Sequence, residues 1–165
     1  MKRFNLFVKL VEMILDVDCE FRDDVHHDLD DVLAGAVLGT NIILLSENLK
    51  KNMADNPLLV YLVLAHEIRH TWQFANQSYS FENYYTGKEA PEKYEMQECE
   101  IDANAFAYLV LQLVTGKTPK HNTWKIFSYD SIMLRVRELE FAFRLRCKNR
   151  DVRKLVSILK QYNKF

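Results

Sequence analysis

Residues 57–65, Pro-Leu-Leu-Val-Tyr-Leu-Val-Leu-Ala, are apolar on every side of a helical wheel and run directly into His66-Glu67-Ile68-Arg69-His70. A helix that is apolar all round belongs in the centre of a fold, so the chain must be built around this one. Asn56 is a natural N-cap for it and Pro57 suits its first turn. The difficulty lies at its other end. Each polar group buried there without a partner costs roughly 2–7 kcal/mol. The two histidines and the glutamate are therefore either satisfied by other side chains or hold something.

The 165 residues are 48% hydrophobic, enough for one substantial core. With no internal repeat, low-complexity tract or Pro/Gly/Ser linker, residues 1–165 read as a single domain. The net charge of −1 hides a division: residues 1–60 carry 6 basic and 11 acidic side chains, residues 117–165 carry 13 and 4. Attraction between the two ends explains this most simply, and a basic face for nucleic acid or an acidic partner is the sharper alternative. Cys19, Cys99 and Cys147 are odd in number and widely spaced, which argues against a disulfide framework or a cysteine-ligated zinc. Lys9 and Glu12 interrupt the first apolar stretch, so it reads as an amphipathic helix and not as a signal peptide. No apolar run is long enough to span a bilayer. The expected location is the cytoplasm.

The pattern along the chain predicts an α+β fold, mostly helical, with a small sheet. Phe4, Phe7, Val8, Val11, Ile14 and Leu15 give residues 4–15 a helical stripe. The acidic stretch 16–31 reads as loop with a short turn of helix. Residues 34–46 carry β-branched residues around Gly35, Gly39 and Asn41 and read as one or two short strands, with Ser46 capping a short helix. Residues 75–93 form a long aromatic and polar loop of the kind that borders a site. A second strong helix is expected from about Glu92 to Val114, ended by Gly116. From Ser128 or Tyr129 onward the basic part, 128–165, reads as one or two helices that break near Asn149.

Residues four apart on a helix project from one face, so His66 and His70 present two imidazoles together, a spacing that suits zinc. Glu67 is turned by about 100° from His66 and flanks that position, where a general base for a metal-activated water must stand. A catalytic zinc needs a third protein ligand and one open position. Residues 97–107, Gln-Glu-Cys-Glu-Ile-Asp-Ala-Asn-Ala-Phe-Ala, offer two faces: Glu100 with Asn104, or Glu98 with Asp102. Glu100 and Asp102 lie about 200° apart and cannot both face one ion.

His66-Glu-x-x-His70 after an apolar helix, followed some thirty residues later by Glu100-Ile-Asp-Ala103-Asn104-Ala-Phe106-Ala107, resembles the HExxH zinc metallopeptidases, or zincins. The nearest resemblance is to the ImmA/IrrE-like metallopeptidases of phages, mobile elements and bacteria, over roughly residues 39–111. That resemblance implies a zincin-like single domain with a central HExxH helix, and one Zn2+ held by His66, His70 and Glu100. Ala103 takes the small packing position, Phe106 and Ala107 the core face, and Asn104 or Asp102 orients a histidine through its other ring nitrogen. The implied activity is hydrolysis of peptide bonds in an intracellular protein, with Glu67 as general base. Arg69 before the second histidine, Thr-Trp-Gln directly after it and the lack of a helix-turn-helix module depart from the pattern, so a neighbouring, phage-specific branch, acting in a host-cell cytoplasm, is implied as readily as the family proper.

Several further readings remain open at this level. Tyr79, Tyr84, Tyr85, Tyr94 and Arg69 are candidate donors to an oxyanion, and the strand at residues 41–46 is a candidate edge for an extended peptide substrate. His26, His27, Asp28 and Asp30 read as a solvated acidic loop more readily than as a second metal site. Cys19 is a remote candidate for an inhibitory thiolate, whereas Cys99 reads as a packed small hydrophobe. His121 is the alternative third ligand, an arrangement more like the SprT-type DNA-associated proteases, with the basic C-terminal helices recruiting nucleic acid. A zincin-fold binding protein that does no chemistry is the competing class. The oligomeric state is not legible.

Overall fold

The computed structural model describes residues 2–24, 29, 32–117 and 128–162, without the side chains of residues 50, 53 and 54. His26, His27, Asp28, Asp30 and His121 lie outside the described residues. The described chain is mostly helical with a small mixed sheet: α1 (Lys2–Leu15), β1 (Glu20–Asp23), β2 (Ala34–Ala36), β3 (Ile42–Leu45), α2 (Glu47–Asp55), α3 (Pro57–Ala75), α4 (Pro91–Glu95), α5 (Glu98–Thr115), α6 (Tyr129–Arg146) and α7 (Arg150–Tyr162).

The apolar run forms the centre of this arrangement. Asn56 Oδ1 accepts from the Leu59 amide and Pro57 opens α3, satisfying one orphan donor and needing none at the proline. Val60, Tyr61, Leu64, Ala65 and Ile68 are fully buried. Beside α3 lies α5, whose residues from Asp102 to Leu111 are all buried, so neither helix has a solvated face there. Around this pair α1 covers α3, and α6 covers α5, while α7 bridges α1 and α5. Phe7 of α1 stacks on Tyr61 of α3 with ring centres 4.1 Å apart, a contact of about 0.5–1.5 kcal/mol beyond its buried area. Gly116 ends α5 at φ 70, a left-handed conformation that suits glycine. Asn149 separates α6 from α7 and its Oδ1 accepts from the Asp151 amide, so the expected break is present.

Three sequence expectations need correction. The acidic stretch 16–31 contains a strand: β1 pairs in parallel with β3, Glu20 opposite Ile42 through Asp23 opposite Leu45. Phe21 is its one apolar side chain, set edge-on to Phe4 of α1, too little to give a period-two signal. The helix expected over residues 92–114 is two helices. Gln97 takes an extended conformation between them and its side-chain amide clamps both the N–H and the C=O of Tyr85. The strand at residues 41–46, expected to lend an edge to a peptide, is β3, which is central in the order β1-β3-β2. The edge that faces α3 belongs to β2, which runs antiparallel to β3.

Candidate metal centre

His66 and His70 leave α3 one turn apart, and α5 crosses so that Glu100, fully buried in its first turn, meets both. His66 Nε2 is 2.9 Å from His70 Nε2, and Glu100 reaches them at 3.3 and 3.1 Å respectively. Donors on a tetrahedral ion with bonds of 2.0–2.1 Å would stand roughly 3.3 Å apart, so the three are placed to within a few tenths of an ångström of such a set. Glu98, two residues earlier and about 200° round the helix, is exposed. The choice between the two faces of α5 is therefore made by burial. Among the described residues, His66, His70 and Glu100 form a buried group able to hold a metal ion.

The hydrogen bonds behind the rings make the case chemically. Gln73 gives both of its amide hydrogens away, to Cys99 O at 3.0 Å and to Asp102 Oδ2 at 2.8 Å, so its Oε1 is what faces His70 Nδ1 at 2.8 Å. His70 must donate from Nδ1. Its neutral ring then turns a lone pair on Nε2 toward His66 and Glu100. His66 Nδ1 meets Asn104 Oδ1 at 3.1 Å, and facing an oxygen it too donates. Two lone pairs and a carboxylate converge on one point, and Glu100 Oε2 accepts no hydrogen bond although it is buried. Such a point needs a positive charge, whether proton or metal ion.

The ionisation equilibria show the same need. Burial opposes the charged form of His70, but the bond to and charge of Glu100 outweigh it and raise its pKa from 6.5 to about 9. Burial likewise opposes charge on Glu100, yet the two histidines hold it well below the usual carboxylate range. A histidine whose folded pKa is raised stabilises the metal-stripped fold fully below 6.5, and that contribution is lost as pH rises through about 9. A dication entering at pH 7.5 must displace this proton. Titrating chelator-stripped protein with a divalent cation in buffers of different ionisation enthalpy should reveal release of about one proton at pH 7.5, and almost none above pH 10.

The site opens into a cleft of about 660 Å³. Glu67 and His70 line it together with β2 and an aromatic set, Phe74, Phe81, Tyr84 and Tyr94. Glu67 Oε2 accepts from the Ala36 amide at 2.7 Å, which holds the carboxylate at the strand edge, beside and apart from the donor trio. Val37 and Ser46 amides bond across the β2–β3 pair, to Ile42 and Leu33. By the alternation of an antiparallel ladder, the backbone groups of Ala34 and Ala36 therefore point away from β3. Gly35 is tight as well: a Cβ there would stand 2.8 Å from Leu29 Cδ2.

The remaining candidates separate cleanly. Asn104 contacts a histidine, whereas Asp102 contacts none; it binds Arg69, Arg135 and Gln73. Arg69 is no oxyanion donor, because its guanidinium pairs with Asp102 at 2.8 Å and lies over the Trp72 ring, 3.8 Å from its centre. The Tyr79 hydroxyl accepts from Arg135, and Tyr85 stands outside the cleft, its backbone held by Gln97 and its ring under Lys93. Tyr84 and Tyr94 are in the cleft, and the Tyr84 hydroxyl donates to Glu100 Oε1 at 2.6 Å. Burial first, then the Glu100 charge, pushes both phenols far above their ordinary pKa, so they stay protonated and keep a hydrogen to donate. Burial also pushes the Cys19 thiol up to about 11 and Cys99 up to about 12, leaving neither as a thiolate near neutral pH. The residue that sequence reasoning missed is Gln73. Its signal was its place three residues after His70, on the same helical face.

No protein-family model, curated protein or solved structure matches this chain. Among the described residues no helix is long and apolar enough to cross a membrane.

Proposed function

We propose that the chain is a zinc-dependent endopeptidase of the HExxH type, a zincin-like domain similar to the ImmA/IrrE-like metallopeptidases, that acts on an intracellular protein. One observation carries the reading: two imidazole nitrogens and a buried carboxylate converge on one point, while a second carboxylate, Glu67, stands beside them in an open cleft under a strand edge. Paired histidines with one carboxylate also serve non-haem iron. Glu67 favours hydrolysis, since it is a base next to the donor set and a purely structural or redox site has no use for one. Three unpaired thiols are in keeping with a reducing compartment.

Zinc bound by His66, His70 and Glu100 would supply a Lewis acid that polarises a carbonyl and lowers the pKa of water toward about 7. The chain does the rest. The outward backbone groups of Ala34 and the outward carbonyl of Ala36, whose N–H is held by Glu67, pair with an extended substrate, which sets the scissile bond over His70. Glu67 takes a proton from water and passes it to the leaving amine, a role typically worth 10²–10⁴-fold. Tyr94, or Tyr84 on releasing its bond to Glu100, donates to the developing oxyanion. The aromatic wall excludes water from one flank of the bond. Incubation of the zinc-loaded chain with an unfolded model protein tests the reading: new fragments should appear, and a zinc chelator should abolish them. Fragments formed equally in the presence of the chelator would contradict it.

A further inference from the structure

The second turn of α5 carries a carboxylate that the proposed mechanism does not use. Asp102 is fully buried and accepts four hydrogen bonds: from Arg69 Nε at 2.8 Å and Nη2 at 3.2 Å, from Arg135 Nε at 2.9 Å, and from Gln73 Nε2 at 2.8 Å. Arg69 comes from α3, but Arg135 reaches in from α6, which otherwise packs behind α5 and away from the cleft. The other nitrogens of Arg135 hold Glu138 at 2.7 Å and the Tyr79 hydroxyl at 3.2 Å. Helix α6 and the loop after α3 thus meet at one buried carboxylate. Its connection to the donor trio runs through Gln73, which is fully buried and faces His70 at 2.8 Å.

We infer that Gln73 is the positioning residue of His70, and that Arg135 of α6 sets it through Asp102. An amide can present either its oxygen or its nitrogen to an imidazole, and only the oxygen leaves His70 Nε2 free as a donor to a metal. Asp102 and the Cys99 carbonyl decide the matter by taking both amide hydrogens. Asn104, which faces His66, is not decided in this way, since its Nδ2 is buried with no hydrogen-bond partner. The two histidines therefore differ: one is oriented by a residue without a further anchor, the other by a relay that extends to the C-terminal helices. Undocking of α6 would remove Arg135, loosen Asp102 and free the Gln73 amide to turn. Metal affinity is in this way tied to the packing of α6. The inference rests on the metal-site reading above.

The test uses the full chain and three variants, with zinc affinity measured by competition against a chromophoric chelator and folding followed by far-UV circular dichroism. Gln73→Met fills the same volume without polar atoms. Gln73→Glu keeps an acceptor for His70 but loses both donors. The relay predicts that both bind zinc about 10–100-fold more weakly than the wild type, and that the visible spectrum of the cobalt-loaded protein changes in both. If Gln73 is merely an acceptor, the Glu variant should equal or exceed the wild type, and that result would overturn the inference. Arg135→Met lies far from the ion at a partly exposed position, so it keeps the test alive if the Gln73 variants do not fold. It should weaken zinc by about 10-fold, and unchanged affinity with an unchanged cobalt spectrum would overturn the relay. Failure of the wild-type chain to bind zinc at all would instead overturn the proposed function, and the inference with it.

Discussion

Glu67→Gln should lower the rate of substrate cleavage by about 10²–10⁴-fold while the zinc content stays that of the wild type. The reasoning is geometric. Glu67 is not one of the three converging donors, and its Oε2 already has a partner in the Ala36 amide at 2.7 Å. A glutamine has nearly the same shape and keeps an oxygen for that amide, so β2 and α3 stay in register. What the amide lacks is a lone pair basic enough to take a proton from water. Parallel assays of cleavage and bound zinc on the two proteins measure both halves of the expectation. Loss of zinc together with activity would make Glu67 structural. Equal cleavage by both proteins would favour a binding protein that does no chemistry.

How legible this site was in the sequence depends on the range of the interactions involved. The α3 helix, its Asn56 cap and the facing of His66 and His70 follow from local spacing and were readable. So was the end of α5 at Gly116. The preference for Glu100 over Glu98 came from the resemblance and not from spacing, because it depends on how α5 crosses α3; the burial of Glu100 and exposure of Glu98 agree with it. Strand β1 escaped detection because its stability comes from parallel pairing with residues twenty-two positions away, Glu20 with Ile42, and a sequence with one apolar residue in four announces nothing. Arg69 was misread for a related reason. Beside the second histidine it suggested a charge in the site, whereas Asp102 and the Trp72 ring engage its guanidinium. The break at Gln97 is likewise a tertiary effect, imposed by its clamp on the Tyr85 backbone.

The second large effect concerns the third donor. Glu100→Gln should weaken zinc binding by more than the 10–100-fold that loss of a ligand-orienting partner costs, while Glu98→Gln should leave it unchanged. Glu100 supplies the charge that raises His70 to about 9 and whose own proton the two histidines drive off. Its replacement by an amide removes that charge from a fully buried position and leaves one acceptor oxygen to serve both Tyr84 and the histidines. Glu98 is exposed and touches neither histidine. Chelator competition on the two variants measures the difference directly. Equal losses would mean that α5 presents its other face to α3 in solution.

The central claim is that His66, His70 and Glu100 hold one zinc ion, and elemental analysis of protein purified without added metal tests it most directly. The account predicts one zinc per chain in the wild type and near-complete loss in His66→Ala, with the fold retained. Iron in place of zinc, or full zinc in His66→Ala, would contradict it.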